Sequence, residues 1–94
     1  MARKTVHKAK KVTSITKTAL WQMALEAMPK ELGFSAEPLP SGPLELRFRV
    51  NGPKTRKHRI GHIDCDIGVH GPDPVAWFRA LRANLCAWAL EDRL

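Results

Sequence analysis

The chain predicts a two-layer α+β fold: a helix, a β-hairpin and a second helix, with a candidate third strand near Phe34. Both helices are expected on one face of a small antiparallel sheet, because a two-stranded hairpin is rarely stable alone. Three observations predict this. Apolar residues recur at helical spacing from Ile15, they alternate strictly from Leu44 to Val50, and Asp73-Pro74 opens a long apolar stretch that ends near Leu90.

The first helix is predicted over about 15–29. Ile15, Ala19, Met23 and Ala27 fall on one stripe, and Leu20, Ala24 and Met28 lie beside it. Thr13 or Ser14 is the expected cap, and Pro29 should end or kink the helix before Gly33. Residues 34–43 hold three prolines and read as a connection, with a short edge strand at Phe34 to Glu37. Next, Leu44, Leu46, Phe48 and Val50 alternate with Glu45, Arg47 and Arg49, which is a half-buried strand. Asn51-Gly52-Pro53 breaks it and begins a basic turn. Ile63, Cys65, Ile67 and Val69 then point inward, while His62, Asp64, Asp66 and His70 point outward. Ile60 has the opposite parity, and a bulge at Gly61 is expected to reconcile the two.

Gly71-Pro72 closes that strand. Asp73 is expected to accept from the free amides of the last helix's first turn, with Pro74 at N1, where no amide is needed. Phe78, Leu81, Leu85 and Trp88 form the core stripe, and Ala76, Ala80, Ala83 and Ala87 a second stripe of small residues. So apolar a circumference predicts burial on more than one side. A homodimer through this helix is expected, with Leu90 and Leu94 also left for the partner; Glu at position 83 would place a charge in the seam.

Ninety-four residues and 10.6 kDa allow one domain, read as a flexible basic arm over 1–13 and a folded unit over 14–94. Two cysteines, Cys65 and Cys86, are too few for a disulfide-built scaffold and are expected as buried free thiols. The N-terminal residues carry the charge of a signal peptide without an apolar h-region. Arg79, Arg82 and Asn84 interrupt the longest apolar stretch, so no membrane span is expected. A cytoplasmic location follows.

The charge is the most informative property. Sixteen Lys and Arg against nine Asp and Glu give a net +7. Residues 1–17 hold six cations and residues 47–59 six more, and neither window contains an acid. The charge is therefore localised. An arm and a hairpin tip of this kind can follow a phosphate backbone and release its counterions. Lys8, Lys10, Lys11, Lys54, Arg56, Lys57 and Arg59 are the expected phosphate contacts. The aromatic residues read as core and do not interleave with the cations, which argues against a base-stacking platform.

Catalysis and metal binding find less support. His62, Asp64, Asp66 and His70 share one strand face, but Cys65 points away, and there is no CxxC and no HExxH. Cross-strand ion pairs of Asp64 and Asp66 with Arg47 and Arg49 are the expected use of those carboxylates. No glycine-rich phosphate loop exists, and inward thiols do not meet outward imidazoles. No metal, cofactor or catalytic residue is expected.

The order helix, strands, helix, with a strand ending in Val50-Asn51-Gly52, is similar in layout to the double-stranded-RNA-binding domain. That family carries a lysine cluster at the start of its last helix. This chain reads Asp73-Pro74-Val75-Ala76-Trp77 there, with no cation to grip phosphate. The likeness is one of layout, and layout alone carries no function. The expected function is non-enzymatic binding of DNA or RNA; the alternative is a regulator or inhibitor that docks on an acidic protein surface.

Overall fold

A computed structural model describes residues 15–94. The elements run α1 (Lys17–Ala27), a 3₁₀ turn (Lys30–Leu32), β1 (Ser35–Leu39), β2 (Glu45–Asn51), β3 (His62–Gly68) and α2 (Pro74–Ala89). The three strands form one antiparallel sheet in the order β1-β2-β3. This is the expected two-layer α+β fold, and the strand near Phe34 is its third strand.

The ends of α1 differ from expectation. Thr16, rather than Thr13 or Ser14, caps it, its Oγ1 accepting from the Ala19 amide at 3.0 Å. The helix stops at Ala27, because Pro29 cannot continue it and Met28 is extended. The chain then makes one 3₁₀ turn and reverses at Gly33, whose φ of 93° suits a residue without a Cβ. β1 follows at the sheet edge, where Pro38 removes no ladder bond that the fold needs.

Phe48 sits at the centre of the core, fully buried, with the rings of Trp21, Trp77 and Phe78 about it at 6.3–6.4 Å. Leu46, Phe48 and Val50 face the helices from β2, opposite Ile67, Cys65 and Ile63 of β3. The pairing runs without interruption from Glu45↔Gly68 to Asn51↔His62, so there is no bulge in it. Instead β3 begins only at His62, and Ile60 lies exposed in the preceding loop. Leu44 is likewise exposed rather than inward, because the strand starts one residue later and Leu44 serves the turn, its carbonyl accepting from Val69.

α2 starts as expected, with Asp73 Oδ1 accepting from the Val75 amide at 3.0 Å and Pro74 at its first position. Phe78, Leu81, Leu85 and Trp88 are buried, as the core stripe predicts. The chain itself buries only one side of α2, and the second side expected to be covered is the one assigned to a partner copy. Ala76, Ala80, Ala83 and Ala87 are all exposed, because α1 and the sheet together cover only the large-residue stripe. Beyond them Leu90 is 86% and Leu94 66% exposed. The thiols of Cys65 and Cys86 are free but only half-buried. Among the described residues no helix is long and apolar enough to cross a membrane.

Candidate nucleic-acid interface

The segment between β2 and β3 does not project as a free hairpin tip. Its base is closed by the Gly52 amide donating to the Gly61 carbonyl at 2.8 Å. Glycine is required at 52, since a Cβ there would lie 2.3 Å from the ring of Phe34. From this base the loop folds down onto the C-terminal end of α2. The buried indole of Trp88 donates from Nε1 to the Pro53 carbonyl at 2.7 Å. The Arg56 amide donates to the Asp92 carbonyl, and Thr55 forms a β-bridge with Arg93.

Thr55 is the pivot of this arrangement. It is 0% exposed, yet its amide and its hydroxyl both have partners. Its amide donates to the His58 carbonyl at 3.0 Å, and its Oγ1 accepts from the His58 amide at 2.9 Å. Oγ1 also lies 3.4 Å from His58 Nδ1. The His58 ring in turn stacks on Trp88, with centroids 4.5 Å apart and planes 24° from parallel. A segment with this many backbone anchors has little freedom left to lose on binding a partner.

What the anchors present is charge. Lys54, Arg56, Lys57 and Arg59 are all exposed. Of these four only Lys57 has a described carboxylate within 4.0 Å, that of Glu91, with the lysine largely in solvent. A pair at that distance and exposure contributes little. Four cations therefore stand together on a rigid base beside the end of α2. Lys8, Lys10 and Lys11 lie outside the described residues. Lys17, the last cation of the N-terminal window, is occupied: its Nζ donates to the Ser41 and Gly42 carbonyls and ties α1 to the β1–β2 turn.

Arg47 and Arg49, at the start of the second basic window, sit apart from the loop, on the outer face of the sheet. Arg49 forms a two-point pair with Asp64, Nε to Oδ1 at 2.8 Å and Nη2 to Oδ2 at 3.2 Å. The Arg49 hydrogen bond holds the Asp64 carboxyl below its usual range, and Asp64 raises the guanidinium in return. Arg47 is in register with Asp66. With Glu37 and Glu45 on the same face, the outer sheet carries more carboxylates than cations. Cys65, on the opposite face, is pushed up to about 11 by burial first and by the charges of Asp64 and Asp66 second. Among the described residues no three His, Cys, Asp or Glu groups converge where they could hold a metal ion.

Sequence reasoning missed His58, Thr55 and the end of α2 as parts of this site. One signal was present: an indole N–H that is to be buried needs an acceptor, and Trp88 lies on the core stripe. Nothing local named Pro53 as that acceptor. The beginning of α2 offers no cation before Arg79, so the charge is on the loop and not at the helix start. Comparison with protein-family models, with curated proteins and with solved structures finds no match to this chain.

Proposed function

We propose that this protein binds DNA or RNA, without covalent chemistry, by setting the β2–β3 loop against the phosphate backbone while the basic N-terminal residues add further contacts. The observation that carries the reading is the cluster of Lys54, Arg56, Lys57 and Arg59 on a loop whose backbone is anchored by Thr55, Trp88 and Asp92. Rigid cations lose less entropy per contact than mobile ones. Residues 15–94 hold eleven cations against nine carboxylates, so five of the seven excess charges belong to the first fourteen residues. The loop then orients, and the N-terminal cations supply most of the non-specific attraction. The half-buried free thiols fit a reducing compartment, and the cytoplasm is the proposed location.

The test is charge reversal of Lys54, Arg56 and Lys57 to Glu together, read by fluorescence polarisation with DNA and RNA across a salt series. Binding should weaken uniformly across sequences, and the salt slope should flatten by up to about three phosphate equivalents. A wild-type protein that shows no binding at low salt overturns the reading.

One observation favours a second reading. Exposed Ile60 belongs to the same loop, and Leu90 and Leu94 flank the helix end onto which it folds. Apolar residues beside a basic loop also suit an acidic protein surface. Capture of a partner from lysate that survives nuclease treatment favours this second reading, and loss of the partner favours the first.

A further inference from the structure

The loop and α2 do not close completely on one another. Between them lies a cleft of about 250 Å³, lined by Lys57 and His58 on the loop side and by Asn84, Ala87, Trp88 and Glu91 on the helix side. Asn84, Ala87 and Trp88 follow the i, i+3, i+4 spacing of one ridge of α2, and Glu91 lies just past its end, its amide donating to the Trp88 carbonyl at 3.0 Å. The other wall is the segment that Thr55 and Trp88 hold in place. Pockets for drug-sized ligands run from roughly 300 Å³ upward, so this cleft suits one small planar group. Ala87 contributes no bulk that would fill it.

The polar groups of the cleft are of mixed kind. Glu91 is an acceptor only, Lys57 a donor only, Asn84 both, and the His58 ring keeps Nε2 available because Nδ1 faces Thr55. A phosphate group would meet the Glu91 carboxylate and be repelled. A neutral group with donors and acceptors side by side would not. The ammonium of Lys57 and the carboxylate of Glu91 are 4.0 Å apart, close enough to address neighbouring atoms of one ring system.

We propose that this cleft binds an unpaired guanine. The inference rests on the nucleic-acid reading and extends it from phosphate to base. Both oxygens of a carboxylate need donors, and guanine is the common base that offers two adjacent ones, N1–H and the 2-amino group. Its O6 lies next to N1 and accepts from Lys57, whose largely exposed ammonium has two further protons left for phosphate outside the cleft. Asn84 reaches the remaining edge. Adenine, cytosine and uracil each present a single donor position beside an acceptor, so each makes one hydrogen bond fewer to the Glu91 carboxylate and sets an acceptor against it. In a duplex these same edges are engaged in pairing, so the ligand is a single strand, a loop or an end.

The experiment uses the full chain and single-stranded oligothymidylates of equal length that carry one central guanine, hypoxanthine or adenine. Phosphate count and charge are then identical, and hypoxanthine lacks only the 2-amino group. Fluorescence polarisation at fixed salt should favour guanine over hypoxanthine and adenine by roughly tenfold, the effect of one hydrogen bond to a charged group. Glu91→Gln should abolish the preference of the guanine strand over the hypoxanthine strand. Titration of the protein with guanosine monophosphate should shift the Asn84 side-chain amide in ¹⁵N spectra, and adenosine monophosphate should not. Equal affinity for all three strands with normal salt dependence overturns the guanine site and leaves phosphate binding standing. Absence of binding to any strand at low salt overturns both. The hypoxanthine comparison leaves the protein unaltered, so the test holds even if Glu91→Gln is unstable.

Discussion

The outer face of the sheet and the β2–β3 loop take their cations from the same acid-free window of sequence, residues 47–59, and use them in opposite ways. On the sheet, Arg47 and Arg49 alternate with inward residues and so come to rest across from Asp66 and Asp64 of β3. Strand periodicity itself delivers the counter-charges, and Arg49 is held by a two-point pair. On the loop there is no period and no facing strand. Lys54, Arg56, Lys57 and Arg59 meet one carboxylate at 4.0 Å, while the Pro53 carbonyl, the Arg56 amide and the His58 ring make the attachments to α2 and the residues after it. A cation is available to a partner where the fold anchors its main chain and leaves its side chain unanswered. Density of basic residues in the sequence does not distinguish the two cases.

The largest test of this contrast is Trp88→Ala. It removes a buried ring that packs on Phe34, stacks on His58 and donates to Pro53. A loss of about 3–5 kcal/mol is expected from urea denaturation, as for other large aromatic truncations. Where the variant remains folded, the affinity for nucleic acid should fall as well, although no cation has been touched. Retained affinity with a released loop would show that the anchors do not matter and that charge alone is sufficient.

Trp88 also shows how far the fold and the site were legible. The core stripe of α2, the Asp73-Pro74 start and the alternation of β2 are local patterns, each read from residues within a few positions of one another, and each stands in the structure. The partners of Trp88 are Phe34, Pro53 and His58, at separations of 30 residues or more, and no local period encodes such contacts. The same limit explains the loop. The residues from Asn51 to Arg59 read as a turn with a basic tip, and the fold-back onto Asp92 and Arg93 is a long-range event. The alanine stripe, which its own chain leaves bare, is a different case. Alanine is the best helix former and buries little area, so its presence on a helix face reports propensity as readily as packing.

The bare face of α2 supplies a smaller test. Ala83 is exposed, so Ala83→Glu should change the unfolding free energy of the monomer by no more than about 0.5 kcal/mol. If two copies associate through Ala76, Ala80, Ala83 and Ala87, light scattering should give a dimer mass for the wild type and a monomer mass for Ala83→Glu. A dimer would also join two basic loops, which raises avidity for a polyanion without a new contact. A monomeric wild type at micromolar concentration ends the proposal of a dimer and leaves the loop unaffected.

The smallest effect is expected where the charges are already matched. Arg49→Gln removes the partner that holds the Asp64 carboxyl low, but both side chains are substantially in solvent, and an exposed pair contributes little to stability. Nucleic-acid affinity should be unchanged, in contrast to reversal of Lys54, Arg56 and Lys57. The pH dependence gives the sign. Because the folded state lowers the Asp64 pKa from 3.8, the stabilisation by Arg49 is present above that value and is lost as pH falls through the lower folded one. The thermal midpoints of wild type and Arg49→Gln should therefore differ slightly at neutral pH and converge as acidification below pH 3.8 protonates Asp64 in the folded state. A gap that persists in acid would assign the role of Arg49 to the packing of its stem across β2 and β3, and the sheet face would then owe its order to packing rather than to charge.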